Sequence, residues 1–386
     1  MEYSVNLPVP SPAAEEHSHR VREAVARAID AAGGWLPFSG YMNLALYEPG
    51  LGYYAAGARK FGAEGDFITA PELTPLFGRA VAVQLVELME WSAPRIVEVG
   101  GGTGALAADL LNELTRRNAP PLSYEILELS ADLRARQQET LRRRAPELMD
   151  RVSWLDRLPD RYSGVVVANE VLDVMPVQLV TWKAGGIFER GVVVGGGGDF
   201  AWEDRPASGA LLRAAQALGV TAPYLSEICL AARAWIAEWG RRLADGAIVV
   251  IDYGFPRHEY YHPQRSAGTL RCHYRHRAHN DPFYLPGLND ITAHVDFTAI
   301  AQAGNEAGLE LLGYGSQAQF LLNCGILDIL QEAAPVTGST YLRQAADVQR
   351  LLSPAEMGEL FKAMVLGRGI EHPLVGFLRG DRRHSL

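Results

Sequence analysis

Apolar residues recur at helical spacing over residues 74–91, where Val81, Val83, Leu85, Val86 and Leu88 fall, and directly afterwards the pattern changes period. Short apolar runs at 95–99, 123–129, 152–155, 164–169 and 246–253 read as strands, and the amphipathic stretches 104–117 and 131–144 read as helices between the first of them. Strands and helices alternating in this way predict an α/β fold whose mostly parallel sheet is covered on both faces. Upstream, the first ten or so residues are rich in proline and serine and read as frayed. Residues 22–32 then form a helix that stops at Gly33-Gly34.

Other stretches break the alternation. Residues 37–65 are studded with Gly, Pro and Tyr and read as turns and irregular pieces. Residues 181–201 alternate and end in Gly195-Gly196-Gly197-Gly198, the signature of a peripheral hairpin. Residues 255–294 are dense in His, Tyr, Pro and Arg with little periodicity, and a long loop of that kind usually covers or binds something. The tail from about 303 reads as helices and strands closing the sheet, with a strand-like piece at 374–378. The division expected is a helical and irregular N-terminal cap, 1–78, and a core, 79–386, with insertions near 181–222 and 255–296.

The strand at 95–99 runs into Val97-Glu98-Val99-Gly100-Gly101-Gly102-Thr103-Gly104. Such a turn lets backbone approach an adenosine-containing ligand and bend sharply into a helix, a need shared by dinucleotide dehydrogenases and class I methyltransferases. Glu98 separates the two. A dehydrogenase presents an apolar strand end and a helix N-terminus to a pyrophosphate, whereas S-adenosylmethionine carries a sulfonium and an ammonium, which an acidic strand end favours. No Lys follows Gly104, so a phosphate-binding P-loop is not formed. The next strand ends in Glu128 and Leu129, and one carboxylate there can accept both ribose hydroxyls. Trp154 or Leu155 on the third strand would lie beside the adenine, although core packing explains Trp154 equally well. The donor-site candidates are thus Glu98, Gly100, Gly101, Gly102, Gly104, Glu128 and Leu129. The fold they imply is a Rossmann-like class I methyltransferase core with a seven-stranded sheet.

The fourth strand ends in Ala168-Asn169-Glu170-Val171-Leu172-Asp173. In this fold that strand end faces the transferred methyl, which makes Asn169, Glu170 and Asp173 the candidate catalytic residues. The three-residue spacing puts Asp173 one helical turn beyond Glu170 and on the same side. An arginine acceptor is protonated at any working pH, so carboxylates must orient it and accept a proton. An acidic first turn that merely caps the following helix is the plainer alternative.

Charge and cysteine content narrow the partners. The chain has 386 residues with 36 basic against 45 acidic side chains, a formal net charge of -9, which disfavours phosphate-backbone binding and suits a cationic protein substrate. Cys229, Cys272 and Cys324 are far apart and form neither a disulfide framework nor a zinc site. With no secretory signal and no apolar run of membrane-spanning length, a cytoplasmic protein without membrane insertion is expected. His258-Glu259-Tyr260-Tyr261-His262 matches the HExxH zinc pattern, but Pro256 and Pro263 leave little room for the helix that pattern needs. Cys272, His273, His276 and His279 lack regular ligand spacing, and Arg142-Arg143-Arg144 reads as a solvated helix end. No metal is expected.

Several further motifs stand in order along the chain: Gly65-Asp66-Phe67-Ile68-Thr69-Ala70-Pro71-Glu72-Leu73 with Phe77-Gly78, Asp252-Tyr253-Gly254, Gly268-Thr269-Leu270-Arg271, and 286–297 with Asn289, Asp290, His294 and Asp296. With the glycine turn and the Asn169-Glu170 strand end, they make the chain resemble the MidA-type methyltransferases from about Gly40 to Phe320. This group contains the mitochondrial complex I assembly-factor protein arginine methyltransferase and its bacterial relatives. The resemblance implies S-adenosyl-L-methionine as donor and, as in the mitochondrial member, an arginine of a respiratory complex I subunit as acceptor. It implies a mitochondrial matrix setting for the eukaryotic relatives. It also adds Asp66 and Thr69, in a loop covering the donor, and Asp290 with His294 near the acceptor. A homodimer stays open, as do methylation of a small molecule and a non-catalytic, donor-binding assembly factor. Glu170→Ala and Asp173→Ala separate enzyme from scaffold, and a comparison of NAD with S-adenosylmethionine binding separates methyltransferase from dehydrogenase.

Overall fold

The computed structural model describes residues 7–56, 69–333 and 338–386, so Asp66 lies outside the described residues. The chain divides into two compact units, each assembled from three separate segments. One draws on Met1–Phe67, Asp173–Arg233 and Arg257–Val295, the other on Ile68–Leu172, Ala234–Pro256 and Asp296–Leu386. Neither follows a single cut near residue 78, because both insertions group with the N-terminal residues.

The second unit holds the large sheet. Its strands are β1 (Arg95–Val99), β2 (Ser123–Leu127), β3 (Val152–Leu155), β4 (Tyr162–Asn169), β5 (Leu243–Phe255), β6 (Glu310–Ser316) and β7 (Phe361–Arg368). These seven form a continuous path in the order β6-β7-β5-β4-β1-β2-β3, and a two-residue strand, Val295–Asp296, pairs with β5 off that path, so the sheet has eight strands rather than the seven expected. Every neighbouring pair from β3 to β5 is parallel, and β7 lies antiparallel between β5 and β6. The central strands β4 and β5 are apolar almost throughout, as strands buried on both faces must be. Helix Pro75–Glu90 starts on Thr74, whose hydroxyl accepts the Leu76 N–H, with Pro at its first position, and buries Phe77, Val81, Leu85 and Leu88 in the main core. Helix Ala105–Arg116 and strands β1, β4, β5 and β7 supply much of the rest of that core. This is the α/β, Rossmann-like architecture expected.

The first unit contains a five-stranded sheet. Leu36–Pro37, Gly186–Val194, Gln178–Lys183 and Tyr224–Ile228 follow one another, and Phe200–Pro206 pairs with Gly186–Val194 across the glycine-rich turn. A second sheet joins Arg277–His279, Arg271–Tyr274 and Asp290–Thr292. Helix Pro12–Ala31 contributes Val21, Val25 and Ile29 to this unit's core, and helix Phe38–Tyr47 contributes Phe38, Tyr41, Met42, Ala45 and Leu46.

Several local expectations are corrected. The first helix begins at Pro12, because Ser11 accepts the Ala14 N–H and caps it ten residues upstream of the expected start. The stretch read as irregular from residue 37 contains a ten-residue helix, Phe38–Tyr47, which buries Phe38, Tyr41, Met42, Ala45 and Leu46. The 255–294 stretch carries a four-residue helix at Arg257–Tyr260 and the three-stranded sheet, so it is built rather than structureless. Val375–Phe377 is a 3-10 turn, not a strand. No helix among the described residues is long and apolar enough to cross a membrane.

Candidate active site

Registers within the large sheet bring the chemically interesting residues to one rim. Val99 of β1 lies opposite Leu127 of β2 and Ala168 of β4, and Asn169 lies opposite Ile251 of β5. The residues that follow each strand therefore share the carboxyl edge: Gly100 after β1, Glu128 after β2 and Glu170 after β4. Because β2 and β4 flank β1 on opposite sides, this edge is the switch point of the strand order, where open α/β sheets bind their ligands.

The glycines of the turn do different work. Gly100, Gly102 and Gly104 have φ of 68°, 51° and 84°, a left-handed backbone that disfavours any side chain. A Cβ on Gly104 would stand 2.9 Å from the Gln137 Cα, and one on Gly101 would stand 2.9 Å from Ile126 Cγ2 and 3.2 Å from Gln137 Nε2. Those two glycines make room for helix Ala131–Arg144. A Cβ on Gly102 would meet nothing within 4 Å, so among the glycines of the turn it is the one that faces open space.

Glu98 is 2% exposed and accepts the Tyr124 hydroxyl at 2.8 Å. Burial pushes its carboxyl up to about 7, the Tyr124 hydrogen bond opposes the shift, and the nearby Glu128 adds to it. Burial likewise pushes Asp109 up to about 7, opposed by Arg144, its ion-pair partner. The sign of the stability effect follows. Between its ordinary carboxylate range and about pH 7 Glu98, whose partner is a neutral hydroxyl, keeps a proton in the folded chain and loses it on unfolding, so stability falls as pH rises through that window. For Glu98 the full effect is on the order of 3 kcal/mol. Glu98→Gln should therefore flatten the decline in urea midpoint between pH 5 and pH 7.5, and a variant with the wild-type slope would refute the assignment.

Glu128, 7% exposed, accepts the Ser130 N–H at 2.9 Å and the Gln137 side-chain amide at 3.0 Å, and burial holds its carboxyl above the usual range. Arg134 donates to the Glu128 carbonyl at 2.6 Å and to the Leu155 carbonyl at 2.7 Å, tying the ends of β2 and β3 together. Beside Glu128, Leu129 is 82% exposed, an apolar surface at the strand end. Trp154 packs against the main core and donates its indole N–H to Gln137 Oε1 at 2.8 Å.

Asn169 and Glu170 occupy the end of β4. Glu170 has φ 54°, a conformation non-glycine residues adopt mainly where surrounding structure enforces it, and its N–H donates to the Ile251 carbonyl at 2.9 Å. Its Oε1 accepts the Asn169 amide at 3.1 Å and the Ala70 N–H at 3.4 Å. Asp252, fully buried on β5, accepts the N–H groups of Val171 and Leu172 at 3.2 and 2.9 Å. The expected helix after β4 is absent: the left-handed Glu170 and the Asp252 clamp turn the chain instead toward Pro176 and strand Gln178–Lys183. Asp173 is thus not one helical turn beyond Glu170.

Thr69 precedes the short helix Ala70–Leu73, whose Glu72 accepts the hydroxyl of Thr103 in the glycine turn. Glu72, Gln137 and Asp252 were given no role by sequence reasoning. Only the quoted motifs around Glu72 and Asp252 marked those two.

Asp173, Asp290 and His294 belong to the first unit. The Tyr54 hydroxyl donates to Asp290 Oδ1 at 2.9 Å, and its acidity is suppressed by burial, then by Asp290 and, more weakly, by Asp173. Asp290 is 2% and Asp173 4% exposed. The Asp173 carbonyl accepts the Ala293 N–H at 2.9 Å, and the His294 N–H donates to the Thr269 hydroxyl at 3.1 Å. These three candidates therefore share one neighbourhood of their unit. His258 lies in the single turn Arg257–Tyr260, and among the described residues no group of three His, Cys, Asp or Glu side chains gathers to hold a metal.

Parallel strands with this order, a left-handed glycine turn after the first and a buried carboxylate after the second define a nucleoside-binding α/β enzyme of the methyltransferase class. The family described as "putative S-adenosyl-L-methionine-dependent methyltransferase" matches residues 77–315, and the chain belongs to it. A protein from Burkholderia thailandensis, crystallised with S-adenosyl-homocysteine bound, is 51% identical and superimposes with a TM-score of 0.95, covering 99% of this chain and 100% of that one. The protein arginine methyltransferase NDUFAF7, mitochondrial, of Danio rerio is 28% identical over 86% of this chain and 83% of its own. Its Drosophila melanogaster homolog is 29% identical over 94% and 90%. The cofactor is S-adenosyl-L-methionine, and the polar carboxyl edge with Glu128 beside the open face at Gly102 is chemically suited to a nucleoside.

Proposed function

We propose that this methyltransferase modifies an arginine side chain of a protein, with a respiratory complex I subunit as the first acceptor to test. The observation that carries the reading is Glu170, a carboxylate held in left-handed backbone at the switch point of the sheet. The names of the animal relatives, both protein arginine methyltransferases, point the same way.

Within the donor site, the turn from Gly100 to Gly104 admits the nucleoside at Gly102, Glu98 faces the cationic end, Glu128 takes the ribose hydroxyls and Leu129 covers the adenine. Thr69 stands at the edge of the same site. When bound, S-adenosyl-L-methionine supplies an electrophilic methyl carbon on a cationic sulfur. Glu170, steadied by Asn169, orients the guanidinium and accepts the proton that the attacking nitrogen gives up.

The test is methyl transfer from labelled donor to isolated complex I subunits, followed by mass spectrometric location of the label. Methyl-arginine is the expected product. Label on lysine, on a carboxylate or on a small molecule only would overturn the arginine assignment and leave the methyltransferase intact.

A further inference from the structure

Gln137 sits in the middle of helix Ala131–Arg144, in the polar run Ala135-Arg136-Gln137-Gln138-Glu139-Thr140, and yet it is fully buried. Its side chain meets three groups. The Nε2 donates to the Gly102 carbonyl at 3.0 Å and to Glu128 Oε2 at 3.0 Å, while Oε1 accepts the Trp154 indole N–H at 2.8 Å. Both amide hydrogens are thereby used. The orientation of the amide is also fixed by its neighbours, since the flipped form would set an oxygen against two acceptors and an NH2 against a donor.

We propose that Gln137 is a donor-positioning residue, whose amide sets the Glu128 carboxylate and the glycine turn in one geometry for the two ribose hydroxyls. This rests on the reading that Glu128 receives the ribose. An ionised carboxylate has about four lone-pair sites. Ser130 N–H and Gln137 Nε2 bond one oxygen each and the Leu129 N–H also approaches the carboxylate, so Gln137 fixes the direction in which Oε2 presents what remains for a hydroxyl donor. A neutral amide can steer the carboxylate in this way without neutralising it, whereas an Arg or Lys at the same place would compete for the lone pairs. The packing supports a built arrangement. The backbone of Gln137 lies against Gly104 so closely that no side chain fits there, and the turn and this residue hold each other in place. Trp154, locked to Oε1, prevents the amide from flipping.

The experiment compares binding of S-adenosyl-homocysteine and its 2′-deoxyribose counterpart by titration calorimetry. The wild-type chain should prefer the hydroxylated ligand by roughly tenfold to a hundredfold, the size of a hydrogen bond to a charged acceptor. Gln137→Leu should shrink that preference to a few-fold at most. KM for the donor should rise more than kcat falls, a split that general loosening of the fold would not produce. Trp154→Phe, which keeps the ring and removes the N–H, should shift the preference in the same direction by less, and it carries the test if Gln137→Leu does not fold. Because both ligands share the adenine, any change in adenine packing cancels in the ratio. A preference unchanged from wild type in whichever variant folds overturns the role of Gln137 while leaving Glu128 as the ribose acceptor. A wild-type chain that binds both ligands equally overturns the Glu128 reading and this one with it.

Discussion

Glu170→Gln is expected to lower kcat on a protein acceptor by about 10²- to 10⁴-fold, the range for loss of a positioned general base, while S-adenosyl-homocysteine binds within a few-fold of wild type. The amide keeps the shape, so its Oε1 can still meet Asn169 and the Ala70 N–H, but it can neither hold a guanidinium as a charged partner nor take its proton. The backbone provides a second measurement. Glu170 holds φ 54°, which costs a non-glycine residue on the order of 1–2 kcal/mol, so Glu170→Gly should fold at least as stably as wild type and still lose activity. Stability kept or gained together with lost turnover is the mark of strain retained for function. Should Glu170→Gln turn over a protein acceptor at the wild-type rate, the carboxylate has no chemical part, and the acidic strand end would be structural.

How much of this was legible in the chain depends on how local the cause is. The glycine turn, β1, β3 and helix Ala131–Arg144 follow from patterns contained within a few residues, and they stand where expected. The places of Glu98 and Glu128 at the carboxyl ends of neighbouring strands were readable because the apolar runs around them mark β1 and β2. Gln137 was not, since a glutamine in a helix of mean polar character looks solvated. Only the close approach of the Gly101–Gly104 turn to that helix buries it. The helix expected after β4 failed for a related reason. Glu170 and Asp173 at a three-residue spacing mimic an acidic first turn, but the N–H groups that such a turn would leave to its own cap are claimed by Asp252, 80 residues away. Helix Phe38–Tyr47 was hidden by Gly40 and by aromatic residues that the turn-like composition around it overshadowed, and tertiary burial of Phe38, Tyr41 and Met42 decides it.

Asp252→Ala should be among the most disruptive single changes, lowering stability by about 2–6 kcal/mol, because the N–H groups of Val171 and Leu172 lose their acceptor and each buried orphan costs about 1–3 kcal/mol. The Tyr253 N–H, held by the other oxygen at 2.8 Å, is loosened as well. Water cannot readily stand in, since the side chain is wholly buried. The damage should reach the active site before the rest of the fold, because the clamp acts on the two residues next to Glu170. A urea titration that shows a lower midpoint at unchanged slope, with activity lost well below that midpoint, is the expected result. Asp252→Asn sharpens it: one amide oxygen can serve only some of the three donors and its NH2 faces the others, so it should recover part of the stability and less of the activity. If Asp252→Ala retains the wild-type midpoint, the turn after β4 is held by something other than this carboxylate, and the left-handed placement of Glu170 must be explained by the β5 backbone alone.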